Sequence, residues 1–213
     1  MVVSSLTSEQ RVVLHGVSWE TYERLTDELE GRGGVRLTYV RGSLELMSPS
    51  YAHDKIKRLI GRLIESYTLE AGIPIASGGS TTFKRRDLDR GLEPDECYWV
   101  QREPAIRGKS ELDLLVDPPP DLAVEVEISR SALNELSVYA ALGVPEVWRH
   151  DGERLEVLLL GTSGEYAPTA RSAALPGLPP DEVTRALARH EEVDETTLVR
   201  EFVARARAAW PGA

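Results

Sequence analysis

The chain has 213 residues, 41% hydrophobic and 28% charged, the balance of an ordinary soluble globular protein with a sizeable core rather than a disordered or disulfide-stapled one. Cys97 is the single cysteine, which excludes an internal disulfide, and no apolar run approaches the roughly 18 residues of a membrane span. With no export signal visible in Met1 to Arg11, a cytoplasmic location is the expectation. The formal net charge of −10 argues against nonspecific nucleic-acid binding by the whole surface, yet residues 32–110 alone carry +4. A basic middle in an acidic chain leaves room for a local phosphate-contacting surface, and equally for solvated mixed charge.

Ser18 is a plausible N-cap for a first amphipathic helix carrying Trp19, Tyr22, Leu25 and Leu29, ended by Gly31, Gly33 and Gly34. Val35–Val40 and Ser43–Met47 are β-prone runs joined by Arg41 and Gly42, a loop suited to a tight hairpin. The clearest periodicity follows Ser48 and Pro49, where Ile56, Leu59, Ile60, Leu63, Ile64 and Tyr67 recur at helical spacing until Gly72. Ser77–Phe83 and Cys97–Val100 read as strands, separated by a charged, turn-rich stretch. Three prolines, 118 to 120, lead into a strand over Leu122–Ile128, with Val124, Val126 and Ile128 on a face meant for a helix and Ala123, Glu125 and Glu127 on the other.

A helix over Ser131–Leu142 and strands over Glu146–Arg149 and Arg154–Leu160 come next. The span from Gly161 to Pro180 reads as loop, and two polar amphipathic helices close the chain, the last with Leu198, Phe202 and Ala206 on one stripe and Trp210 at its end. The order is that of a single mixed α/β domain over 1–213, with a core at about 18–160 and a loop and C-terminal helical tail over 161–213.

The chemistry-bearing pattern is Pro94-Asp95 followed thirty residues later by Glu125-Val126-Glu127. Carboxylates at strand positions i and i+2 share a face about 7 Å apart, and three acids converging there repel one another unless a hard cation neutralises them. Oxygen-only ligands select magnesium, manganese or calcium, ions that activate water for phosphodiester hydrolysis. Read from spacing alone, Glu125 and Glu127 are also what a solvated strand face carries, and both readings stand at this point.

That pattern resembles the PD-(D/E)XK nuclease signature with its third position altered. The blocks Gly42-Ser43-Leu44-Glu45-Leu46-Met47-Ser48-Pro49, Gly91-Leu92-Glu93-Pro94-Asp95, Asp117-Pro118-Pro119-Pro120-Asp121-Leu122 and Tyr139-Ala140-Ala141-Leu142-Gly143, together with His53, resemble the Uma-two family, a large bacterial group of restriction-endonuclease-like proteins. The resemblance spans about Trp19 to Trp210. It implies a restriction-endonuclease-like mixed sheet flanked by helices and a metal-dependent DNA endonuclease. Asp95, Glu125 and Glu127 would then be the catalytic and metal-binding residues for Mg2+ or Mn2+, with DNA as partner and a homodimer left open.

Glu127 stands where a lysine is usual, and a glutamate supplies no positive charge to a developing phosphorane. Relatives carry a lysine on the next helix, but the matching stretch here is Leu133-Asn134-Glu135-Leu136, and no lysine follows Lys109. Lys84 and Arg130 are the candidate replacements. Glu45, placed near the acids by the resemblance, and His53, at the start of the long helix, are the remaining auxiliary candidates. The competing expectation is a catalytically inactive nuclease-fold module that binds nucleic acid or protein.

Overall fold

The computed structural model describes residues 9–29 and 34–208. Gly31, Gly33 and Trp210, assigned helix-ending and helix-capping places above, lie outside the described residues. The elements run β1 (Gln10–His15), α1 (Trp19–Leu29), β2 (Arg36–Val40), β3 (Ser43–Ser48), α2 (Tyr51–Ala71), β4 (Ala76–Ser77), β5 (Phe83–Arg85), β6 (Arg90–Leu92), β7 (Glu96–Trp99) and α3 (Glu103–Ile106). They continue with β8 (Leu122–Val126), α4 (Glu135–Leu142), β9 (Glu146–His150), β10 (Leu155–Leu160), β11 (Tyr166–Thr169), α5 (Pro180–Leu187) and α6 (Glu195–Ala208).

The fold is mixed α/β, but its strands divide between two sheets rather than one. The first has the order β1-β3-β2-β6-β5 and the second β11-β10-β9-β8-β7-β4. The β2–β3 hairpin turns through Arg41 and Gly42, both at positive φ (45° and 85°), the twist that suits a two-residue turn. Gly91 on β6 is required for a different reason: a Cβ there would lie 2.2 Å from the Tyr22 hydroxyl of α1.

Helix α2 starts where Ser50 Oγ accepts from the His53 N–H at 3.2 Å and stops at Gly72, held at φ 65°. Its stripe of Ile56, Leu59, Ile60, Leu63, Ile64 and Tyr67 is buried against Val124 and Val126 of β8 and against α5 and α6. Helix α4 covers the opposite face of the same sheet, with Val138, Tyr139 and Leu142 on Ala123 and Val147. The two middle strands, β8 and β9, are therefore covered on both sides, and they form the parallel pair that the α4 crossover connects. Among the described residues no helix is long and apolar enough to cross a membrane.

Several expectations need correction. Ser77–Phe83 is not one strand: Ser77 ends β4 in the second sheet while Phe83 opens β5 in the first, with bends between. Strand β8 stops at Val126, so Ile128 is not under a helix but 43% exposed. The helix expected from Ser131 begins at Glu135, after Asn134 caps it by accepting from the Ser137 N–H. The Gly161–Pro180 stretch contains β11, which pairs with β10, and the edge strand β1 and short helix α3 were not foreseen.

Candidate functional site

Strand β8 lies inside the second sheet, hydrogen-bonded to β7 on one side and β9 on the other. The antiparallel β7–β8 register pairs Glu96 with Val124, so Asp95 immediately precedes β7 at the end where β8 finishes. Asp95 Oδ2 accepts from the Val126 N–H at 2.7 Å, so the aspartate is stitched to β8 just where that strand ends. This is the neighbourhood the Pro94-Asp95 and Glu125-Val126-Glu127 spacing pointed to.

Asp95 is fully buried, and a buried carboxylate is costly unless paired and hydrogen-bonded. Arg36, the first residue of β2, places Nη1 against Asp95 Oδ1, and the imidazole Nε2 of His53 stands 3.2 Å from Oδ2. Burial and then the Arg36 charge hold the His53 pKa below its usual value, which leaves the ring a neutral partner near pH 7.

Glu125 faces a cavity of about 100 Å³ between the two sheets, lined among others by Arg11, Arg36, Glu127, Glu135, Tyr139 and Arg149. It accepts a short hydrogen bond from the Tyr139 hydroxyl on α4. Burial, and next the negative charge of Glu135, push its carboxyl up to about 8. Glu135 is itself lifted to about 7, chiefly by burial and against the pull of Arg11, with the charges of Glu45 and Glu127 adding to the rise. The Thr38 hydroxyl reaches Glu135 Oε1 at 3.4 Å. The cavity therefore holds two carboxyls whose proton affinity lies near neutral pH, the range in which an acid or base does useful work.

Glu127 shares the cavity wall but turns towards Arg149 of β9, at 3.8 Å. Glu45 of β3 is buried and engaged by Arg11 Nη1 at 2.5 Å, Ser131 Oγ at 3.0 Å and the Ala132 N–H at 2.8 Å, an anchor for the chain entering α4. Lys84 does not join the acids: its ammonium pairs with Asp27 of α1 at 3.3 Å and it is not part of the cavity wall. Arg130 is exposed and borders a separate hollow with Glu127, Arg149 and Arg154. The basic residue that reaches the acidic centre is Arg36, which sequence reasoning missed, along with Arg11, Glu135 and Tyr139.

Among the described residues no three His, Cys, Asp or Glu side chains form a group that could hold a metal ion. Asp95 pairs with Arg36, Glu125 accepts from Tyr139, and Glu127 stands 3.8 Å from Arg149.

The family model for Uma2, described as "Putative restriction endonuclease", matches residues 19–190. The chain belongs to the Uma2 family. The match takes in α1 through α5 and therefore Arg36, Asp95, Glu125, Glu135 and Tyr139, while β1 with Arg11, and α6, lie outside it. Among solved structures the chain is similar to one titled "Crystal structure of a putative nuclease belonging to DUF820 from Anabaena variabilis ATCC 29413 at 1.96 A resolution". The two are 15% identical, with 78% of this chain and 90% of that chain covered and a TM-score of 0.47. No curated protein matches.

Proposed function

We propose that this Uma2 protein is a DNA endonuclease that hydrolyses phosphodiester bonds at the cleft between its two sheets. The observation that carries the reading is Asp95 bonded to the Val126 N–H, next in the chain to Glu125, with a cationic side chain, Arg36, that pairs with the aspartate and lines the same cavity as Glu125. The cavity has room for several waters, and the arginines on its wall suit the oxygens of a phosphate group, the part of the substrate that positions rather than specifies.

In this reading a water oxygen bonds to phosphorus and its proton passes to the Glu125 carboxylate, whose raised pKa suits a base near neutral pH. One P–O ester bond breaks, the departing oxygen takes a proton from solvent, and a phosphate-ended and a hydroxyl-ended strand result. Asp95 holds Arg36 and the end of β8 in place, and Glu127 sets the charge at the cavity mouth through Arg149.

The test is cleavage of supercoiled plasmid with magnesium or manganese added, beside Asp95→Asn. Nicking or linearisation by the wild type, and its loss in the variant, are expected; equal cleavage by both would put the site elsewhere. Abolition of cleavage by EDTA would show that a divalent ion is required, and cleavage unaffected by EDTA would show that it is not. A second reading, a noncatalytic nucleic-acid-binding module, is favoured by one observation: Asp95 and Glu127 are each already matched by an arginine. Plasmid binding without cleavage under any ion would select it.

A further inference from the structure

We propose that Arg36 is a catalytic residue of this cleft: it keeps Asp95 with one edge of its guanidinium and turns the other onto a non-bridging oxygen of the scissile phosphate. The inference rests on the nuclease reading and adds to it the side chain that meets the negative charge of the reaction.

Attack on a phosphodiester concentrates charge on its non-bridging oxygens, and a site without a preorganised cation forgoes much of its rate. Glu127 provides no such cation, nor does Lys84, which is spent on Asp27. Three arginines line the cavity. Arg11 is committed to Glu45 at 2.5 Å and to Ser129 Oγ at 3.1 Å. Arg149 is committed to Glu156 at 2.8 Å and stands 3.8 Å from Glu127. Arg36 differs from both. Its Nη1 is on Asp95, but its Nη2 stands 4.0 Å from Asp54 Oδ1, beyond hydrogen-bond reach, and Asp54 is itself half exposed.

A planar guanidinium can hold a carboxylate and a phosphate at once through different N–H groups, which an ammonium does poorly. Asp95 in turn is fixed by the Val126 N–H and flanked by His53, so the arginine is aimed by a carboxylate that cannot follow it out of the cleft. Of the arginines around Glu125, Arg36 pulls on its carboxyl more strongly than Arg11, which places the cation beside the residue that receives the proton.

The experiment uses a short DNA duplex with the full chain, comparing wild type, Arg36→Gln and Arg36→Lys. Binding is followed by fluorescence anisotropy from low to high salt, and cleavage by single turnover at saturating DNA. For Arg36→Gln the rate should fall about 100-fold to 1000-fold, and the slope of log K against log salt should become shallower by about 0.9, one phosphate contact. Arg36→Lys keeps a charge opposite Asp95, so it serves if the glutamine variant does not fold. It should lose about 10-fold or more in rate and show a shallower slope, because its single ammonium, held opposite Asp95, cannot span both anions.

A rate loss in Arg36→Gln with an unchanged salt slope would make Arg36 a mere support for Asp95 and overturn the proposal, as would no change in either measurement. If the wild type binds DNA but never cuts it, the nuclease reading fails while Arg36 is judged by the slope alone: a shallower slope supports the phosphate contact and an unchanged one removes it. Wild type that neither binds nor cuts overturns both.

Discussion

Two glutamates on neighbouring strands of the second sheet show how differently one residue type can be used. Glu146, at the start of β9, is fully buried and accepts from four donors: Trp148 Nε1 at 2.6 Å, Ser172 Oγ at 2.5 Å, the Ala173 N–H at 2.6 Å and the Ala174 N–H at 2.8 Å. Glu125, near the end of β8, has Tyr139 as its hydrogen-bond donor and Glu135 as a like-charged neighbour. The first carboxylate is a strut that fastens the 172–174 segment to the sheet. The second is left with few donors beside a cavity, and burial and then the charge of Glu135 raise its proton affinity. Satisfaction makes an acid structural, and its absence keeps one available for chemistry.

The largest effect should come from breaking the strut. Glu146→Ala strands an indole N–H, a hydroxyl and two backbone N–H groups, and at about 1–3 kcal/mol for each buried donor left unpaired, partly relieved by water entry, the loss is about 3–5 kcal/mol. Thermal unfolding by circular dichroism should show a melting temperature lower by about 10 °C, with DNA cleavage per folded molecule unchanged at low temperature. Glu125→Gln should behave in the opposite way. Near neutral pH a glutamine resembles the protonated carboxyl that a value of about 8 gives Glu125, so the melting temperature should stay about unchanged, while loss of the proton acceptor lowers cleavage by about 100-fold or more. Equal destabilisation by both substitutions would erase the distinction between the two glutamates.

The same contrast explains what could be read from the sequence. Helix α2 was legible because its apolar stripe, the Ser48-Pro49 break before it and Gly72 after it are local, while the cap itself is Ser50. Strand β8 was legible as a strand, but not its end: it closes at Val126, and Glu127 beyond it turns to Arg149. Strand β1 left no clear signal because it is an edge with Val12 and Leu14 exposed, defined by pairing with β3 some thirty residues away. Strands β5 and β6 are three residues each, too short for a period to show.

Within the candidate site, Asp95 and Glu125 were singled out by their spacing and by the family resemblance. Arg36 was not, because only the approach of the first sheet to the second brings residue 36 to residue 95. Glu135 sits in the very stretch searched for a lysine, and its meaning emerges only when the α4 crossover lays it beside Glu125.

The smallest effect expected is a pH dependence, and it isolates the Glu125–Glu135 pair. In the unfolded chain both carboxyls titrate near 4.5, whereas in the fold burial and their mutual charge hold the protons until about 8 for Glu125 and 7 for Glu135. Between those limits the folded state binds more protons than the unfolded one, so stability must fall as pH rises. The pair's contribution is fully present below about pH 4.5 and is lost as pH climbs through 7 and 8. Glu135→Gln resembles the protonated wild type, keeps an amide oxygen for the Thr38 hydroxyl and removes the charge that lifts Glu125. Its melting temperature should match the wild type at pH 5 and exceed it by a few degrees at pH 9, since roughly 1 kcal/mol moves a chain of this size by about 2–4 °C. Taking the difference between the two proteins cancels every other titrating group that the substitution leaves alone. Cleavage should follow the same logic: with Glu135 neutral, the Glu125 carboxyl loses its proton at lower pH, and the rising limb of the pH–rate profile moves in the acid direction. A melting difference that stays flat from pH 5 to 9, together with an unmoved limb, would mean that the two carboxyls do not share one electrostatic site.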